Sequence, residues 1–283
     1  MKVSVIIPFR DKTPVLDDCV GAVKKQNYKD IEIIVVSDRT ELKDKNIISL
    51  VNSKCKGPGE KRNLGAKKAK GDILFFLDSD CILKKDSISK LVKIFKKHRI
   101  DAVSGKPLAP RKSNILGLVT GLEYEDRFDQ MGEGYADVAA TTCFGVLRQS
   151  FQKVRGFEDY TEGEATGEDW DFAMKLRQEN CKIFHTNEVE GYHEQVSDSL
   201  IRYLSRQRLH SEYRAKHYKR YKKAADQYSS WRMILSSTIL LSLPTVIRVY
   251  RRTKNPKIFV LPFISFLRSI FWLIGLIGGM IKD

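Results

Sequence analysis

Three short runs of apolar, largely β-branched residues set the strongest limit on how this chain folds: KVSVII at residues 2–7, IEIIVV at 31–36 and ILFFL at 73–77. They read as near-continuous apolar runs rather than as strict polar–apolar alternation. Each is therefore expected to be a strand buried on both faces. Between the first two, residues 15–27 carry apolar side chains at helical spacing. Strand, helix and strand in succession imply an α/β fold, with a mainly parallel sheet, right-handed crossovers and flanking helices. Residues 60–70 and 86–98 read as helices, 101–105 and 138–147 as strands, 169–180 as helix and 182–184 as a short strand. Residues 114–135 show no clear pattern. Ligands of such sheets sit beyond the carboxyl ends of the strands, so chemistry is expected in the residues that follow each apolar run.

The formal net charge is +15. Its position matters more than its size. Residues 200–283 hold 17 Lys and Arg against 3 Asp and Glu, which leaves residues 1–199 close to neutral. The basic excess lies beside the two most apolar segments, 233–250 and 258–281, and that pairing suits an anionic membrane surface rather than nucleic acid. The five cysteines are scattered singly, so neither a disulfide framework nor a zinc site is expected, and a reducing compartment fits best. Residues 1–8 open at once on a strand-like run with no charged leader, so no secretion signal is expected.

Three constellations carry candidate chemistry. Asp78-Ser79-Asp80 directly follows ILFFL. Two carboxylates one residue apart repel each other, and a hard divalent ion such as Mg²⁺ or Mn²⁺ relieves that repulsion. The same pattern also serves as an acidic turn before a helix. Residues 57–65 (GPGEKRNLG) place glycines before a helix start, where backbone N–H groups and Arg62 can meet an anion, although a plain loop-to-helix entry has the same appearance. Residues 167–171 (GEDWD) put acidic residues in a first helical turn, which suits either the helix dipole or a general base. Asp38, after the second run, is equally open between turn cap and ligand contact.

The order of these pieces is more telling than any one of them. SVIIPFR, IEIIVVSDRT, GPGEKRNLGAKKAKGDILFFLDSDC, TCFGVLRQSFQKVRGFED, GEDWDFAMKLRQENCKI and VEGYHE follow one another over residues 1–195, and together they resemble the family 2 glycosyltransferases of the GT-A fold. The resemblance implies a GT-A, Rossmann-like catalytic domain over residues 1–197. Residues 198–283 would then form a basic helix and apolar membrane-associating helices. It also implies roles by position: Pro8 and Arg10 lining the nucleotide pocket, Asp38 on the base or ribose, and Arg62 near the nucleotide. Asp78 and Ser79 would contact the nucleotide-sugar, Asp80 would hold Mg²⁺ or Mn²⁺ on the diphosphate, and His193 would approach the same metal. Asp169 of the Glu168–Asp169 pair would be the catalytic base. The chain departs from the family where Ser37-Asp38 replaces two acids and where Arg39 replaces a small residue. The Q-x-x-R-W signature of processive synthases is absent, so single additions are expected.

The implied activity is inverting transfer of one hexose from a nucleotide-sugar to an acceptor, with a lipid-linked acceptor expected from the membrane-like C-terminus. Arg268 falls near the middle of the second apolar segment, and the connector 248–257 is basic. Helices lying in the interface or dipping in as a re-entrant pair, on the cytoplasmic face, are therefore expected over two crossings. Two other readings compete: a non-catalytic membrane-bound module that binds nucleotide-sugars, and a sugar-phosphate nucleotidyltransferase. The second lacks its glycine-rich loop after the first strand, where this chain reads PFRDKTP.

Overall fold

β1 (Val3–Pro8), β2 (Ile31–Ser37), β3 (Ile48–Val51) and β4 (Ile73–Leu77) form the parallel part of one sheet, in the order β3-β2-β1-β4. The computed structural model describes residues 1–55, 57–137, 141–158, 167–194, 199–221 and 239–281. The expected strand residues 138–140, the loop 159–166, residues 198 and 222–227 of the basic stretch, and 233–238 of the first apolar segment lie outside the described residues. Beyond β4 the sheet becomes mixed. β8 (Cys143–Leu147) runs antiparallel to β4 and to β6 (Ala102–Leu108). β6 is parallel to β9 (Ile183–His193), with a register shift between Ser104 and Lys106. β5 (Cys81–Leu83) and β7 (Gly134–Tyr135) each pair antiparallel with β9. The expected parallel pairing thus holds for the first four strands and for β6 with β9, while β5, β7 and β8 pair antiparallel.

Each apolar run does bury both faces, as its composition requires. Val5, Ile7, Val35, Phe75 and Leu77 point to one side, against Leu16, Cys19 and Val23 of α1 (Pro14–Lys24) and Ile88, Leu91 and Phe95 of α3 (Ser87–Lys97). Ile6, Ile34, Val36, Leu74 and Phe76 point to the other, against Ala66 of α2 (Pro58–Lys68), Phe151 of α5 (Arg148–Lys153) and Phe172 of α6 (Glu168–Gln178). α1 starts on local signals: Pro14 opens its first turn, and the Thr13 hydroxyl accepts a hydrogen bond from the Leu16 amide at 3.2 Å. α2 has little apolar surface. It docks closely because Gly65 has no side chain, and a Cβ there would lie 2.5 Å from Cγ2 of Ile6.

The chain divides into two compact units, Met1–Leu108 with Phe128–Glu194, and Ala109–Arg127 with Gln195–Asp283. This differs from a simple break at 197/198, because residues 109–127 group with the C-terminal unit. The reason lies in charge pairing. α4 (Ile115–Met131) presents Glu123, Glu125 and Asp126 to three arginines of the C-terminal segment. Arg248 of α8 (Ile239–Thr253) donates to Asp126 at 2.7 Å, and Arg252 lies 3.2 Å from Glu125. Arg268 of α9 (Leu261–Ile281) grips both oxygens of Glu123 at 2.6 Å. Val119 and Leu122 of α4 share a core with Val246, Val249, Leu261 and Ile264. The pattern of 114–135 was obscure in sequence because its acids answer arginines more than a hundred residues away. α7 (Leu200–Arg220) completes the described part of this unit.

Candidate active site

The site is built at the carboxyl edge of the parallel strands. β1 pairs in register with β2 (Pro8 opposite Val36) and with β4 (Ile6 opposite Phe76), so Pro8, Asp38 and Asp78 come to the same edge. Two consecutive residues of α2 then reach different strand ends, because neighbours on a helix are about 100° apart. Lys61 is buried, and its Nζ donates to Oδ1 of Asp38 at 2.6 Å and to the carbonyl of Phe9 at 3.1 Å. Burial alone would raise the Asp38 carboxyl. The Lys61 hydrogen bond and charge, helped by Arg39, more than offset that and hold it below the usual carboxylate range. Lys61 was not singled out from the sequence. Its signal was its place beside Arg62 in the same short motif.

Arg62 points to the other strand end. It is 3% exposed, with one Nη donating to Oδ1 of Asp78 and the other to Oε1 of Glu168, both at 2.8 Å. Its guanidinium stacks over Phe157 at 5.4 Å, and its Nε has no hydrogen-bond partner among the described residues. Burial would pull this group's pKa down, and the two carboxylates outweigh it and keep the cation charged. Arg62 thereby ties the acidic motif after β4 to the acidic start of α6. Gly167 precedes α6 with φ 85°, a left-handed conformation that glycine takes without steric cost. α6 is seated by stacking of Phe172 on Phe157 at 4.2 Å and by the edge contact of Phe157 with Phe76 at 5.0 Å.

Asp169 follows Glu168 in that first turn, and its Oδ1 accepts from the Trp170 amide at 2.7 Å. Burial, then the neighbouring Glu168 charge, push its carboxyl up to about 6, and the Trp170 amide and Arg62 only partly oppose this. A carboxylate that titrates near neutrality is suited to accepting a proton.

Asp78, Asp80 and His193 each offer one ligand atom, and these atoms lie within 4.8 Å of one another. The β5–β9 pairing makes this possible: His193 is opposite Cys81, and the Glu194 amide donates to the Asp80 carbonyl at 2.8 Å. The His193 Nε2 lies 3.3 Å from Oδ1 of Asp80. Two carboxylates and an imidazole are an acceptable donor set for a divalent cation such as Mg²⁺ or Mn²⁺. Ser79 is half-buried between the two acids. Arg10 is exposed and pairs with Asp11 at 3.8 Å, outside this network of buried contacts.

Comparison with known proteins identifies the family. A family model described as glycosyl transferase family 2 matches residues 4–155, a little over half of the chain. The O-antigen chain rhamnosyltransferase RfbN of Salmonella typhimurium is 28% identical over 212 residues, covering 68% of this chain and 66% of that protein. Glycosyltransferase GlyG of Streptococcus pneumoniae is 29% identical over 135 residues, 43% of this chain and 45% of its own. The chain thus spans less than two thirds of the length of these relatives. Among solved structures, the mannosyltransferase PcManGT from Pyrobaculum calidifontis, in complex with GDP-Man and Mn²⁺, matches with a TM-score of 0.63. That match covers 100% of this chain and 88% of the other at 13% identity, a likeness of fold.

Proposed function

This chain belongs to glycosyl transferase family 2, and on that premise we propose that it moves one hexose from a nucleotide-sugar to an acceptor hydroxyl or phosphate, with inversion. The observation that carries the reading is Arg62, which joins the Asp78-x-Asp80 motif to the Glu168–Asp169 pair through two hydrogen bonds of 2.8 Å. A donor-binding group and a proton acceptor are thereby held in one rigid constellation. Asp38, set by Lys61, receives the base or ribose, with Pro8 and Arg10 beside it, while Asp78 and Ser79 meet the sugar diphosphate. Asp80 and His193, with Asp78, would hold Mg²⁺ or Mn²⁺. Such a cation supplies positive charge beside the departing diphosphate. With a hydroxyl acceptor Asp169 takes its proton as the oxygen attacks the anomeric carbon opposite the leaving group, whereas a phosphate acceptor attacks through an oxygen that is already ionised. The new C–O bond forms as the bond to phosphate breaks, with its electrons leaving on the diphosphate.

The acceptor we favour is lipid-linked, a polyprenyl phosphate or membrane-borne glycan, with the chain attached to the cytoplasmic face of an anionic membrane. Support comes from the C-terminal unit, where Pro256–Ile281 has a mean hydropathy of 2.0 in its most apolar window and basic residues flank it. The test is incubation with Mn²⁺, a panel of nucleotide-sugars, and either polyprenyl phosphate or soluble sugars. Release of nucleoside diphosphate matched by a new glycolipid is the expected result. Transfer to soluble sugars alone removes the lipid acceptor. Donor binding without any transfer favours the non-catalytic module.

A further inference from the structure

α9 is apolar on its exposed face as well as on its buried one. Its exposed face carries Phe263, Phe266, Ile270, Ile274 and Ile277, all apolar and at helical spacing. Its opposite, buried face mixes Leu261, Ile264, Trp272 and Leu276 with Ser265, Arg268, Gly275 and Gly279. α8 extends the apolar surface through Leu243 and Ile247, and its Tyr250 ring lies 5.1 Å from that of Phe259, which joins the two stripes. At that junction Arg251, Lys254 and Lys257 are exposed. A continuous exposed apolar stripe suits lipid, and a basic rim suits anionic headgroups.

Length does not decide how this face meets lipid. The 21 residues of α9 span about 30 Å, the thickness of the bilayer core. Its packing does decide. Arg268 donates to the Tyr203 hydroxyl at 3.3 Å, and Trp272 Nε1 donates to Gln207 at 3.1 Å. A Cβ on Gly275 would lie 1.9 Å from Oγ of Ser211, and one on Gly279 would lie 2.8 Å from Cβ of Ala215. These contacts advance together along both helices, so α7 runs parallel to α9 at close range. α7 also carries Arg202, Arg206 and Arg208 exposed. A bilayer-crossing α9 would draw those charges into hydrocarbon beside it.

We propose that α8 and α9 lie flat in an anionic membrane surface. The stripe from Phe259 to Ile277 sinks into the acyl boundary, α7 lies on the aqueous side, and Arg251, Lys254 and Lys257 rest on headgroup phosphates. This rests on the membrane attachment proposed above and specifies its mode. The full chain is tested with phosphatidylcholine vesicles, with and without phosphatidylglycerol. Nitroxides are attached at Phe263→Cys, Ile270→Cys and Ile277→Cys, the five native cysteines being buried. The expected result is flotation with anionic vesicles and one common shallow depth, about 5–10 Å, at all three positions. The Phe263→Asp/Phe266→Asp variant should bind vesicles at least roughly tenfold more weakly while keeping its donor-induced thermal shift. A depth that peaks at the bilayer centre and then falls along the helix means a crossing and overturns the in-plane mode, with attachment intact. Failure to float on either vesicle removes attachment itself. Nitroxides immobilised without lipid, in a chain that sediments as a dimer, would assign the stripe to a second copy and overturn the proposal.

Discussion

With a hydroxyl acceptor, replacing Asp169 with Asn is expected to lower kcat by about 10²–10⁴-fold while leaving donor affinity nearly unchanged. The amide keeps the shape of the side chain and can still accept the hydrogen bond that the Trp170 amide makes at 2.7 Å, but it cannot take a proton. The same carboxyl predicts a pH limb. Because burial and the Glu168 charge push it up to about 6, kcat/KM should fall as pH drops through that value in the wild-type enzyme. The stability consequence has the opposite sense. A carboxyl whose folded pKa is raised favours the folded state at low pH, and that contribution is lost as pH rises through about 6. The Asn variant should therefore melt no lower than wild type at pH 7 and should lose this pH response. An equal loss of donor affinity, or activity close to wild type, would remove Asp169 from the role of base.

The largest stability effect is expected at Arg62. Changing it to Met removes the cation that both Asp78 and Glu168 address and leaves two carboxylates facing each other in a poorly solvated place. Truncating one partner of a buried ion pair typically costs about 3–5 kcal/mol. Chemical denaturation of the Met variant should show a loss of that order. Added Mn²⁺ should reduce the loss, because a cation beside Asp78 replaces part of the missing charge. Arg62→Lys should recover only part of the stability, since one ammonium lacks the planar fork that spans both acids. A loss below about 1 kcal/mol would mean that the two acidic motifs are held together by the surrounding aromatic packing instead.

Much of the fold was legible because its signals are local. The apolar runs that became β1, β2 and β4 are continuous, and a strand buried on both faces leaves that mark. The helices between them open on Thr13-Pro14 and Gly57-Pro58. β3, β5 and β7 escaped notice because they are two to four residues long and gain their hydrogen bonds only from neighbours in the sheet. β9 was foreseen only over 182–184, since its remaining residues mix His, Thr, Asn, Glu and Gly, and pairing on both sides stabilises them. α4 was unreadable because half of its pattern is written in distant arginines.

The candidate site divides in the same way. Asp78, Asp80 and Asp169 stand directly after a strand or at a helix start, positions that composition marks. What sequence spacing did not reveal is the wiring. Lys61 and Arg62 are adjacent in sequence yet serve different strand ends, and His193 reaches Asp80 only through the register of β5 against β9. Arg62 illustrates the difference. A basic residue after a glycine-rich turn resembles an anion contact, but here both of its Nη groups are spent on carboxylates of the protein. The C-terminal unit shows the converse. Arg268 stands out in sequence as a charge in an apolar segment, and the structure turns it inward onto Glu123, so its cost in lipid does not arise.

The central claim is that the carboxyl edge of the sheet binds a nucleotide-sugar together with a divalent cation. Thermal unfolding in the presence of Mn²⁺ and UDP- or GDP-sugars, for wild type and Asp80→Ala, tests it most directly. The account predicts a rise in melting temperature with one class of donor, dependent on the metal and lost in Asp80→Ala. The same shift without metal, or retained in full by Asp80→Ala, would contradict the assignment of that cluster.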